Sequence, residues 1–186
     1  MTLGEGKEKV LKLLDEYSSG GELTEDDDIE KKMAAFFDIA QKEMAGHARI
    51  IRETELELDG TERLWTMPED FRQVFRIWKN GRLVTHYAFR GKALAAPERD
   101  SSKLLVEYFA SPKTIDDETP DDYVFEVSEE AANCLPFFVA AQQLMADLVV
   151  DYSVFWNMYL TMRATLDVTL PSAGSGGVRQ ALYSRR

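Results

Sequence analysis

Residues 128–170 constrain the fold more than any other stretch. Ser128 is followed by Glu129 and Glu130, then by a run in which apolar residues recur at spacings of three and four. Serine is a favoured helix N-cap, and acids in the first turn suit the positive end of the helix dipole. One stripe reads Ala131, Leu135, Phe138, Met145 and Val149, and a second reads Phe137, Ala141, Leu144 and Leu148. A helix that is apolar on more than one face belongs in the middle of a core. It is not a membrane span, because Gln142, Gln143, Asp147 and Asp151 cut it short of the roughly 20 apolar residues required. Pro136 removes a backbone donor, so it is expected to kink the helix or mark its true start. Past Asp151, Val154, Phe155, Met158, Tyr159 and Met162 extend the pattern as a continuation or a second helix, ending near Thr169, Leu170 and Pro171.

Two amphipathic helices are expected before this region. Residues 5–17 place Val10, Leu11, Leu14 and Tyr17 inward and stop at Ser18-Ser19-Gly20-Gly21, with glycine at the favoured C-terminal position. Thr24 is expected to cap the next helix, with Glu25, Asp26, Asp27 and Asp28 in its first turn. Its buried stripe is Ile29, Met33, Phe36, Phe37, Ala40 and Met44, and Gly46 lies near its end. The acid run at 25–28 lacks the glycine and the closing glutamate of a calcium loop.

The period then changes to two. Residues 50–58 alternate, Asp59-Gly60 signals a hairpin, and 62–67 return as its second strand. Residues 71–78 put Phe71, Phe75 and Ile77 on apolar faces. Asn80-Gly81 is a strong turn dipeptide, with 83–89 as the returning strand. Residues 92–96 and 103–110 complete about six strands. Residues 111–123 carry two prolines and five acids and read as a surface connection. After Pro171, serine, alanine and glycine at 172–177 predict a flexible linker. No acid follows Asp167, and Val178, Leu182 and Tyr183 lie among Arg179, Arg185 and Arg186.

Little in the chain suggests catalysis. His47 falls at a helix end and His86 within an expected strand, and neither has a nucleophile motif around it. No cysteine, histidine and acid cluster has metal-ligand spacing, and no glycine-rich phosphate loop is present. Catalytic, cofactor-binding and metal-ligating residues are therefore expected to be none. Among so many acids, Asp116, Asp117, Asp121 or Asp122 fit a carboxylate-based hydrolase only by selection. Trp65, Phe71, Phe75, Trp78, Tyr87 and Phe89 read as core and cross-strand pairs. The chain of 186 residues is 45% hydrophobic, enough for a core, and its formal net charge is -11. That balance opposes tight nucleic-acid binding, which runs on lysine and arginine. Cys134, the single cysteine, reads as a small core residue. The N-terminal residues show no apolar run after their charges, so no signal peptide is expected and maturation in a cytoplasm is.

The order of these elements resembles the head–tail connector, or adaptor, proteins of tailed bacteriophages. MPEDFRQVFRI at 67–77 is similar to that family's strand opening with Leu/Met-Pro and an acid–aromatic pair. LLVEYFASPKTIDDETPDDYVFEVSEEAANCLPFFVAAQQLMADL at 104–148 is similar to its strand, Tyr-x-x-x-Pro turn, acidic loop and capped helix. The resemblance spans roughly 50–170. It implies an α+β fold in which a helical bundle built from both chain ends carries a small antiparallel β domain inserted in the middle, followed by a flexible C-terminal tail. The segments would be 1–48 for the N-terminal helices, 49–110 for the β-rich insert, 111–170 for the acidic loop and long C-terminal helices, and 171–186 for the tail.

The resemblance also implies a homo-oligomeric ring, twelve copies being usual, beneath the portal protein of a virion. Such a ring extends the channel for double-stranded DNA and docks a downstream tail or stopper protein, without a membrane or a cofactor. C-terminal segments of such proteins reach onto the portal, which makes Val178, Arg179, Leu182, Tyr183, Arg185 and Arg186 the candidate portal-binding residues. A monomeric or dimeric α+β interaction module and a carboxylate-based hydrolase are the alternatives. We expect no hydrolysis of peptidoglycan, nucleic acid or nucleotide above a blank. An activity that vanished on substituting one Asp or Glu would overturn this.

Overall fold

The computed structural model describes residues 1–17, 27–60, 64–95, 100–145 and 151–169. The fold is mixed α+β, with helices and two small antiparallel sheets. Its contacts divide into two units: residues 1–49 with 112–170, and residues 50–111.

The first unit holds α1 (Leu3–Tyr17), α2 (Asp27–Ala48), α3 (Glu129–Ala132), α4 (Leu135–Met145) and α5 (Ser153–Thr169). Helix α1 starts two residues earlier than expected because Thr2 and Glu5 form a capping box. The Thr2 N–H donates to Glu5 Oε2 at 2.8 Å, and the Glu5 N–H donates to Thr2 Oγ1 at 3.2 Å. The Leu3 and Gly4 N–H groups, which no helical carbonyl can serve, donate to Tyr123 O at 2.8 Å and Asp121 O at 2.9 Å. Gly6 allows close approach, since a Cβ there would lie 3.0 Å from Phe37 Cζ. Phe37 in turn packs on Phe125 with ring centroids 5.3 Å apart.

In α2, Met33, Phe37, Ala40 and Met44 are buried and Phe36 is half-buried. The side chains of Tyr17 and Ile29, the stop at 18–21 and the Thr24 cap lie outside the described residues. In the C-terminal half, Ser128 does cap a helix, with its Oγ accepting from the Ala131 N–H at 3.3 Å. Of the two roles expected of Pro136, it takes the second and marks the true start of the long helix. Helix α3 ends at the cap residue Asn133, and Pro136 is the second residue of α4, where a missing N–H costs no helical bond.

Leu135, Phe138, Val139, Ala140 and Ala141 are buried, but Leu144 is only half-buried and Met145 is 45% exposed. The buried stripes therefore taper before the end of α4; Leu148 and Val149 lie outside the described residues. Helix α5 turns Phe155, Tyr159 and Leu166 inward and leaves Val154 and Met158 outside, which corrects the expected stripe. The Tyr159 ring meets Phe138 edge-on at 5.2 Å. Arg163 ties α5 to α2 through Glu43 at 2.6 Å.

The connection after the sheet unit is more than the expected surface loop. Pro112, Ile115 and Phe125 are buried. The side chain of Gln41, fully buried on α2, holds this segment at several points. Its Nε2 donates to Lys113 O at 3.2 Å and to the Tyr123 hydroxyl at 3.1 Å, and its Oε1 accepts from the Glu126 N–H at 2.9 Å.

The second unit holds β1 (Ile51–Glu57), β2 (Leu64–Thr66), β3 (Phe71–Lys79), β4 (Arg82–Leu83), β5 (Ala88–Arg90), β6 (Ala93–Ala95) and β7 (Lys103–Ala110). One sheet runs β1-β7-β3-β4 and the other β2-β6-β5. The turn at Asp59-Gly60 bends, with Gly60 at φ 77°, yet it does not make the expected hairpin. Strand β1 pairs with β7, and β2 belongs to the other sheet.

The Asn80-Gly81 turn does form, with φ 51° and 73° as a type I′ hairpin needs, and Lys79 faces Arg82. The expected return strand at 83–89 is interrupted: β4 ends at Leu83, and β5 joins the other sheet. Strand β3 carries register shifts at Phe71/Gln73 and Val74/Arg76. Each bulge inserts a residue, so Phe71, Val74 and Ile77 are the buried positions while Phe75 is half-buried beside Phe109, 5.2 Å between ring centroids. Phe71 also stacks on Phe89 at 5.6 Å.

Gln41→Leu should lower the unfolding free energy by about 1–3 kcal/mol for each buried group it leaves without a partner. Urea denaturation checks this, and an unchanged midpoint would show that the amide does not hold the connection.

Candidate interaction surface

The residues expected to contact a portal, Val178, Arg179, Leu182, Tyr183, Arg185 and Arg186, lie outside the described residues. Two acids of the connection, Asp116 and Asp121, are engaged in local structure. Asp116 Oδ1 accepts from the Glu118 N–H at 3.2 Å and from Thr119 Oγ1 at 2.8 Å, which shapes a turn. Asp121 pairs with Lys7 at 2.7 Å and so fastens the connection to α1. His47 is half-buried near the end of α2, and His86 is exposed in the interrupted segment between β4 and β5 rather than within a strand.

Among the described residues, no group of three or more His, Cys, Asp or Glu is placed to hold a metal ion. Cys134 is buried and donates to Glu130 O at 3.3 Å. Burial pushes its thiol up to about 11, far from the thiolate a nucleophile needs.

A groove on the helical unit is built from three parts of the chain. Leu13 of α1, Pro136 and Phe137 of α4, and Met162 of α5 form an apolar floor. Lys9, Lys12 and Asn133 form the rim, and the volume is about 330 Å³. Lys9 Nζ donates to Asn133 Oδ1 at 3.3 Å, and Lys12 lies 3.6 Å from Glu8. Turning Phe137 and Met162 outward enough to line a groove is what leaves both half-buried. The space suits one or two apolar side chains with a carboxylate near the lysines, and it lies at the small end of the range for binding sites. The sequence holds a faint signal for it, because Leu13 and Phe137 sit at the edges of stripes otherwise filled by core residues.

In the sheet unit the main polar cluster centres on Asp100. Its Oδ2 accepts from Lys79 Nζ at 2.7 Å and from the Tyr87 hydroxyl at 3.4 Å, and its Oδ1 accepts from Ser102 Oγ at 2.7 Å. The Lys79 hydrogen bond, then that of Ser102, hold the carboxyl below its usual range despite burial. Burial first, then the Asp100 charge, pushes the Tyr87 phenol up to about 12. Both carboxylate oxygens are engaged, so the cluster pins loops together and offers no open catalytic position. The end of β3 and two following loops meet here, and no local motif announces them. No family model matches the chain, and no curated protein matches it.

Because Asp100 titrates lower in the fold than in the unfolded chain, it contributes stability above the unfolded value of about 3.9. That contribution is lost as pH falls through the lower folded value. Asp100→Asn should therefore be less stable than the parent at pH 7, and the gap should narrow below about pH 4. Paired urea titrations at the two pH values check this, and a gap that does not change with pH would rule out the carboxylate as its source.

Proposed function

We propose that the protein is a structural head–tail connector of a tailed phage, acting by binding rather than catalysis. On this reading α1 to α5 form a helical bundle drawn from both chain ends, with the sheet unit inserted between its halves. Copies form a ring of about twelve on the portal, within the virion neck, after synthesis in a host cytoplasm. The ring extends the DNA channel and docks a tail or stopper protein. The observation that carries the reading is the shared core. Leu3, Val10, Met33 and Phe37 from the N-terminal segment pack in one cluster with Leu135, Phe138, Phe155 and Tyr159, while residues 50–111 hold a separate one. That is the order of parts the resemblance implies.

Charge supports it too. A ring built from chains of net charge -11 would repel DNA phosphates and suit sliding passage. Arg179, Arg185 and Arg186 suit an acidic patch on the portal or a neighbour, though each exposed pair contributes only about 0–1 kcal/mol. Val178 and Leu182, four residues apart, then carry most of the attachment, together with Tyr183. An α+β interaction module is the second reading, favoured by the lysine-rimmed groove.

Electron microscopy of the protein mixed with candidate portal particles tests the proposal, a ring at the portal vertex being the expected result. Truncation after Pro171 should leave the melting transition intact and abolish attachment to the portal. Equal attachment by the truncated and full chains would transfer the anchoring role to the helical body.

A further inference from the structure

Over residues 153–166, the outward face of α5 carries no charged residue. Its exposed residues are Val154, Asn157, Met158, Thr161, Ala164 and Thr165, a strip about 16 Å long at 1.5 Å per residue. None is charged, in a chain where 30% of residues are. Arg163, on the other side, is half-buried and paired with Glu43. By contrast, α1 exposes Glu5, Glu8, Lys9 and Lys12, and α2 sets Lys32 and Lys42 around its exposed Ala35 and Ile39.

The threonines make the strip less polar still. Thr161 Oγ1 donates to Asn157 O at 2.8 Å and Thr165 Oγ1 to Met162 O at 2.6 Å, so both protons are spent inside the helix. Met158 is 44% exposed, Val154 38% and, just before the helix, Tyr152 38%. An uncharged strip with Val154 and Met158 open to solvent fits a contact surface.

We infer that this face is where a second copy of the chain packs. The argument is electrostatic. With 33 acids against 22 lysines and arginines, two copies repel each other over most of their surfaces. They approach without that cost only where charge is absent. A basic partner would instead find its complement on the acidic surfaces and would have no use for a neutral strip. As the seam of the proposed ring the inference rests on the connector reading; as a contact between copies it does not.

The test is sedimentation equilibrium of the full chain across concentration, at low and high salt, with a parallel melting curve for each variant. Self-association should strengthen with salt, because salt screens the repulsion of the acidic bodies and leaves an uncharged contact untouched. Met158→Lys and Thr161→Lys should each weaken it at least tenfold while melting as the parent does, and Met158→Leu should preserve it. A chain that stays monomeric throughout, or association unchanged in both lysine variants, overturns the inference. If either lysine variant melts early, a Val154→Asn variant answers the same question. Failure of the connector reading looks different: association would follow this face, yet no ring would appear on any portal particle.

Discussion

One buried amide governs the helical unit. Gln41 is the polar side chain that α2 carries into an otherwise apolar stripe, and its burial is tolerable only because its donors and acceptor are matched. What matches them is main chain at Lys113 and Glu126 and the Tyr123 hydroxyl, all from the connection that follows the sheet unit. That segment, so held, presents the carbonyls of Asp121 and Tyr123 to the first N–H groups of α1. The course of the acidic connection, and with it the carbonyls that meet the start of α1 and the seat of Phe125 against Phe37, thus lean on this side chain, beside the Thr2–Glu5 capping box and the Lys7–Asp121 pair. The apolar contacts around it are stronger in sum, but they carry no direction. The amide supplies the register.

The helical half was largely legible in the sequence because its signals are local. Ser128, the stripe of Met33, Phe37, Ala40 and Met44, and the break at Pro136 each act within a few residues. The early start of α1 was also written there, in the T-x-x-E spacing of Thr2 and Glu5. The outward turn of Val154 and Met158 was not. A period of 3.6 fixes which residues share a face but not which face meets the core, and α5 is apolar on both.

The sheets were less legible because pairing is not local. Asp59-Gly60 and Asn80-Gly81 both signal a hairpin, the second more strongly, and only the second joins strands that pair. The partner of β1 is β7, set by the match between their faces and not by the turn that follows β1. The bulges in β3 hid Val74 for a related reason: an inserted residue resets the alternation, and nothing in the text of the strand marks where. The groove of Lys9, Lys12 and Phe137 gathers residues far apart in the chain, and the cluster around Asp100 joins a strand end to two loops, so spacing could not reveal either. The residues assigned to portal contact lie outside the described chain, and their role stands on composition and resemblance.

The pairing of β1 with β7 has a consequence for how such a chain tolerates change. Ile51 faces Phe109, and the Ala110 N–H donates to Ile50 O at 2.9 Å. The chain therefore enters and leaves residues 50–111 side by side, on the two strands at one end of the same ladder. A segment whose ends already touch behaves as a cassette, because exchanging it for another with neighbouring ends demands no stretch of the flanking helices. The sheet unit is thus free to lengthen, shorten or change its outward residues on its own account, while Gln41 and the helices keep their arrangement.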